Sequence, residues 1–178
     1  MRIMGYDIGP AVKLHKARLG GADLDGAKLA GAILTHADLR EVSLKSADLS
    51  GADMTDAILA GSHMPGANMA GSRLSRADAS ETNMYGVSLR RATMREVNLT
   101  RATLQAAVLV GADLTGARLV SANLHWADLR SANLCGADLS RADMASARLQ
   151  GARYDRETKL PDSVSPGNRG MQLVSKDG

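Results

Sequence analysis

The chain has 178 residues, a formal charge of +3, no Phe, one Trp, three Tyr and one Cys. That length suits a single domain, and the lone Cys135 excludes an internal disulfide framework and fits a reducing compartment. The charge excess is too small to define a nucleic-acid binder, and no apolar run reaches the length of a signal peptide or a membrane span, so the expected compartment is the cytoplasm with no membrane partner.

In chain order, residues 1–11 precede any regular pattern and are expected to form an N-terminal cap, with Ile3 to Pro10 as its body. From Val12 to Arg156 the chain divides into 29 consecutive five-residue units without a slip of register. The third residue of each unit is Leu in 21 cases and Met in six, and only Ala79 and Tyr154 depart. The first residue is Ala in 22 units and otherwise Val, Ser or Thr. Period five fits neither a helix nor a flat strand. Two apolar positions spaced two apart predict a very short extended segment with both side chains on one side, followed by a bend. The other three positions carry nearly all the charge and should face water. Twelve of the thirteen glycines in this region occupy the fifth position, where a turn needs unusual backbone angles. Arg76, Arg91 and Trp126 stand there too, so the turn must tolerate side chains. With so few aromatics, the core must be narrow and built from Leu, Met and Ala.

Charge spacing counts the units per coil. Stacked coils lie roughly 4.8 Å apart, close enough for like charges to repel. Nine pairs in the repeat region are charged at both ends of a 20-residue step: Arg18/Asp38, Asp25/Lys45, Lys28/Asp48, Asp53/Arg73, Asp56/Arg76, Arg76/Glu96, Glu81/Arg101, Arg118/Asp138 and Asp128/Arg148. All nine are opposite in sign. A step of 15 fails at once, because Asp23/Asp38 and Asp38/Asp53 are like pairs. Four units per coil predict an all-β solenoid of square cross-section with about seven coils, roughly 34 Å long.

The segments Ala22-Asp23-Leu24, Ala47-Asp48-Leu49, Ala112-Asp113-Leu114 and Ala132-Asn133-Leu134 resemble the signature of pentapeptide repeat proteins. The resemblance implies a right-handed quadrilateral β-helix over residues 12–156 and suggests a bacterial origin. Tyr154 to Pro161 also resembles a common ending of such repeats.

The middle of the region is irregular. Ala79 replaces a core Leu, and five of the six core Met lie between residues 54 and 94. Either Val97 and the Met side chains fill the gap, or a local dent shapes a surface. After Arg156, residues 157–178 form a C-terminal cap and tail, with Leu160 and Pro161 over the last coil. From Ser163 to Gly178 the period is lost. That stretch reads as a flexible extension or, through Met171, Leu173 and Val174, as a segment for homodimerisation at the C-terminal end.

No catalytic, cofactor or metal constellation is legible. His15 and His36 share a face, but no Cys or carboxylate group completes a metal set there. The recurrent Asp before each centre reads as turn and ladder chemistry rather than acid–base catalysis. Two surface sets remain. Arg90, Arg91 and Arg95 lack a charged residue one coil away and, with the paired Arg73 and Arg76, should gather at one corner as solvated arginines or as a site for an acidic protein or nucleic acid. Tyr85 with His125 and Trp126 should share a face, as isolated surface aromatics or as a binding hot spot.

The expected function is a non-enzymatic protein–protein interaction scaffold with an unknown protein partner. The alternative, implied by the resemblance, is a DNA-mimic regulator of DNA gyrase that protects it from quinolones. This sequence departs from that pattern, being net positive, free of Phe and free of an inserted loop. Direct nucleic-acid binding through the arginines is disfavoured by the small net charge. Ice binding through Thr35, Thr55 and Thr115 is disfavoured because Ser75 and Arg95 interrupt that column.

Overall fold

A computed structural model describes residues 2–175. Parallel β-bridges join the second residue of each unit to the second residue of the unit 20 positions on, from Lys13↔Ile33 to Asn133↔Arg153. Four units therefore advance the chain by one rung, and the units stack in four columns. Each column is named by its first centre: Leu14, Leu19, Leu24 and Leu29.

Unit 37–41 shows why this repeat satisfies its backbone. The Ala37 amide donates to the Leu34 carbonyl, closing a turn. The Asp38 amide donates to Ala17 in the rung before, while the amides of Leu39 and Glu41 donate to Ile58 and Ala60 in the rung after. That leaves the fourth amide, Arg40, which donates to the Asp38 carboxylate at 3.2 Å. The same cap recurs from Asp25 on Asp23 to Ala145 on Asp143. Asp or Asn in the second position thus supplies the one acceptor that the ladder lacks.

The fifth residue has φ between +53° and +71° in all 28 units from 12–16 to 147–151. With the turn hydrogen bond, this is the type II pattern. Glycine takes it freely. Lys16, Arg76, Arg91 and Trp126 hold it at φ between +53° and +58°, at a cost of about 1 kcal/mol each. The ladder bond of the fifth amide to the next rung, as in Arg91 to Val110, keeps them there.

All centres from Leu14 to Leu149 are buried, with Ala or another small residue beside each. Around Ala79 the first positions Ser72, Thr82 and Val87 are larger than Ala and buried. The hydroxyls of Ser72 and Thr82 donate to the carbonyls of Met69 and Ala79 at 2.7 and 2.8 Å. The bridges Ile58↔Asp78↔Asn98 pass Ala79 unbroken. The backbone ladder is therefore continuous across the Ala79 unit.

At the N-terminal end, β1 (Arg2–Ile3) and β2 (Tyr6–Asp7) form an antiparallel hairpin. Met4 and Gly5 turn it with φ of 50° and 85°, as a two-residue hairpin loop demands. Ile8 is buried against the first coil, and the Tyr6 hydroxyl accepts the Arg18 amide at 3.2 Å.

The C-terminal end differs from a flexible extension. After β3 (Arg153–Tyr154), the bridge Asp138↔Lys159 spans 21 residues instead of 20. The Asp155 carboxylate accepts the amides of Gly136, Glu157 and Thr158 at 2.9–3.0 Å, absorbing the extra residue. The chain then buries Val164, passes a short 3-10 turn (Gly167–Arg169), buries Met171, and adds β4 (Gln172–Leu173) parallel to β3. The Gly151 amide donates to Gly170, as the ladder would require. A non-repetitive tail continues the coil because its backbone meets the same edge. Residues 176–178 of that assigned tail, like residue 1 of the N-terminal cap, lie outside the described residues.

Candidate partner-binding surface

The second, fourth and fifth residues of each unit point outward, so the ladder displays side chains in fixed rows. In the Leu14 and Leu19 columns these rows are charged and largely cross-paired. Arg73 meets Asp53 at 3.0 Å, and Arg76 meets Asp56 at 2.8 Å, both one rung apart. Arg101 reaches Glu81 at 3.2 Å across the next turn. Arg95 differs from expectation: it is paired, bonding the Asp113 carboxylate. Its partner lies 18 residues away rather than 20, because a fourth-position side chain reaches diagonally to the second position of the next rung. Arg40 and Arg130 likewise turn back on Asp38 and Asp128 of their own units, at 2.6 and 2.7 Å.

These pairings hold the carboxylates ionised. The Arg40 guanidinium beside Asp38 holds its carboxyl down at about 2. Burial alone would raise Asp113, but the hydrogen bonds from Thr115 and Arg95 outweigh it and lower it. Thr55 and Thr115 spend their hydroxyls on Asp53 and Asp113 at 2.7 and 2.6 Å, so the threonine row is bonded sideways rather than free for ice. Cys135 is half-buried, and that burial, with Asp155 beside it, pushes its thiol up, away from the thiolate a nucleophile needs.

The predicted arginine set divides between the Leu14 column and the turn that leads into it. Arg73, Arg95 and Arg76 occupy the second, fourth and fifth positions of the Leu14 column and are in ion pairs. Arg90 and Arg91 lie on the turn after the Leu29 column. They are exposed, and among the described residues neither makes an ion pair. The register explains why. One rung away they meet Ala70, Val110, Gly71 and Gly111, none of which can pair. The Arg91 stem runs over Gly111, with its Cγ 3.6 Å from where a Cβ would stand.

The aromatic residues share one turn, with Tyr85 two rungs from the His125–Trp126 pair. Tyr85, Gln105 and His125 form one fourth-position row on the turn after the Leu24 column, and Gly86, Ala106 and Trp126 form the adjoining fifth-position row. Tyr85 is 52% exposed and Trp126 59%. The His125 and Trp126 rings meet edge to face at 4.4 Å between centroids. His125 Nδ1 lies 3.7 Å from Asp143 Oδ2.

Sequence reasoning missed the setting of these aromatics. Residues 57–72, 82–89, 102–112 and 119–127 hold no Asp, Glu, Lys or Arg. The register stacks all four runs on the Leu24 column and its turn, and three of them reach the Leu29 column. The result is a neutral panel carrying Tyr85 and Trp126, bounded by Arg90 and Arg91. The uncharged runs were the available signal.

His15 and His36 stack edge to face at 5.5 Å, and His15 Nδ1 lies 2.7 Å from the Thr35 hydroxyl oxygen. Among the described residues, no three His, Cys, Asp or Glu converge as a metal site, and no helix is long and apolar enough to cross a membrane.

The family model for pentapeptide repeats matches in 8 copies, over residues 22–61, 56–91, 82–119, 98–134 and 122–153. The chain belongs to the pentapeptide repeat family. Members fold as right-handed β-helices, the architecture that the ladder describes. No curated protein matches the chain. Among solved structures it is similar to HetL, a pentapeptide repeat protein involved in heterocyst differentiation regulation in Nostoc sp. strain PCC 7120, with 26% identity over 78% of this chain and 81% of that one and a TM-score of 0.47. Rfr23 of the cyanobacterium Cyanothece 51142 is 35% identical over 55% of this chain and 63% of its own, with a TM-score of 0.43. QnrB1, a plasmid-mediated fluoroquinolone resistance protein, is 15% identical over 93% and 91%, with a TM-score of 0.46.

Proposed function

We propose that this pentapeptide repeat protein is a non-enzymatic scaffold that docks another protein on one side of a rigid β-helix. The observation that carries this reading is Tyr85 and Trp126, both exposed on one turn of a charge-free panel, while the Leu14 and Leu19 columns carry ion pairs such as Asp53–Arg73, Asp56–Arg76 and Glu81–Arg101. Binding cores are depleted of charge and enriched in Tyr, Trp and Arg. We read the helix as square in section with about seven coils, cytoplasmic, with residues 1–11 and 157–178 as its caps. Homodimerisation through the C-terminal end finds support in Leu173, 61% exposed on β4, and Val164 and Met171 are already committed to the coil below.

Gyrase regulation by DNA mimicry has less support. A mimic needs rows of unpaired negative charge, whereas here the net charge is +3 and most described arginines of the middle coils neutralise the nearest carboxylates. Two assays on the purified full chain test the proposal together. Affinity capture from cell extract should retain a defined protein, competed by free untagged chain and reduced by Tyr85→Ala with Trp126→Ala. A gyrase supercoiling assay, with and without a quinolone, should show no effect. Capture of nothing beyond an unrelated β-helix control would reject the scaffold, and inhibition or drug rescue of gyrase would install the alternative.

A further inference from the structure

The neutral panel has two unlike edges, and together they specify what lies across it. One edge is the turn that carries Tyr85 and Trp126, two rungs apart with small Gly86 and Ala106 beside them. The other is the next turn, which carries Arg90 and Arg91, exposed and without an ion pair among the described residues. Between them the Leu29 column presents Ser88 and Val108, both half-buried and uncharged. The stacking register makes this a shallow floor between an aromatic rim and a cationic rim.

We propose that this floor binds an extended acidic–aromatic segment of a protein partner, with a bulky apolar side chain against Tyr85 and Trp126 and a carboxylate on Arg90 and Arg91. This rests on the scaffold reading above and adds the partner's chemistry. Charge complementarity selects the acid: two adjacent guanidiniums without internal partners present ten N–H donors in fork geometry, which a carboxylate matches in a bidentate way. The aromatic rim selects a large apolar side chain, since Tyr and Trp are the residues most often found at binding hot spots. The rims are separated by the extended part of one unit, about 10 Å, so the two groups on the partner should stand about three residues apart in extended chain. A nucleic-acid strand fits less well. It needs cations spaced along its length, and Ser88 and Val108 of the floor supply none.

The test uses the intact chain and labelled synthetic peptides in fluorescence anisotropy. One peptide carries Trp three positions before a Glu pair in a Ser/Thr background. A second has the same composition with Trp and Glu adjacent. Poly-glutamate and oligothymidylate are the other probes. The spaced peptide should bind best. Tyr85→Ala with Trp126→Ala, and separately Arg90→Ala with Arg91→Ala, should each weaken it by about tenfold or more, while Arg40→Ala leaves it unchanged. Ala106 already holds φ of +57° in the same row as Trp126, so the alanine variants keep the fold, which circular dichroism verifies. No binding of the spaced peptide, equal binding by the variants, poly-glutamate binding as well as the peptide, or tighter binding of oligothymidylate would each overturn the proposal. Failure here leaves the capture experiment standing on its own: capture reduced by Tyr85→Ala with Trp126→Ala but untouched by Arg90→Ala with Arg91→Ala sinks this site and keeps the scaffold.

Discussion

The two halves of this β-helix share one interior and differ outside. The Leu14 and Leu19 columns present carboxylates and guanidiniums that pair across rungs, as in Asp53–Arg73 and Asp56–Arg76. Over the middle rungs, the Leu24 column presents Asn83, Thr103, Tyr85, Gln105 and Trp126, with no formal charge. Both halves use the same ladder, the same turn and the same Leu–Ala core. Apart from the second-position caps, outward side chains can therefore change from self-satisfied to open while the ladder and turns stay the same.

The largest effect should come from the part that the halves share. Leu104→Ala removes a fully buried centre and should cost about 2–5 kcal/mol in urea unfolding; a loss below about 1 kcal/mol would mean that the narrow core collapses around the gap. Acid should then act on the bonded carboxylates of both halves, which on the Leu24 and Leu29 columns are Asp25, Asp48 and Asp128. Asp38, Asp53, Asp56, Asp113 and Asp138 on the paired side all have lowered pKa values. Their contribution is complete above the unfolded carboxylate pKa of about 3.9 and is lost as pH falls from there through the folded value, about 2 for Asp38. Stability followed by circular dichroism should therefore fall between about pH 4 and pH 2. Replacing those five with Asn should flatten that fall.

Smaller effects address the turns. Asn123→Ala strips the cap from the His125 amide, now held at 3.0 Å, and should cost about 1 kcal/mol. Trp126→Gly should act in the opposite sense: relief of φ +58° should raise stability by up to about 1 kcal/mol while weakening partner binding. A protein that gains stability and keeps full binding would separate Trp126 from recognition. Smallest of all, Arg76→Ala breaks an exposed pair with Asp56 and should leave the urea midpoint nearly unchanged, with any difference fading in high salt.

Much of the fold was legible because the period is short. Four units per rung followed from nine opposite charges, and the bridges run at that step. Of those nine pairs, Asp53/Arg73, Asp56/Arg76, Glu81/Arg101 and Asp128/Arg148 close to 4 Å or less. The partner of Arg95 was not legible, because a rule of vertical steps cannot see a diagonal reach. The tail was not legible either: it carries no repeat, and its placement depends on the open edge of the preceding coil. The aromatic residues were identifiable one by one, but their neutral setting appears only when runs 20 residues apart are stacked.

The sequence by itself determined the solenoid, its four-unit rung, its Leu, Met and Ala interior and its glycine-rich turns, because each is a local rule repeated without interruption. Only the tertiary structure decided which charges neutralise one another, that Arg90 and Arg91 make no ion pair among the described residues, and that residues 163–175 complete the coil. Those outcomes depend on which side chains meet across rungs and around turns, and a one-dimensional period fixes the rung but not the reach of a side chain.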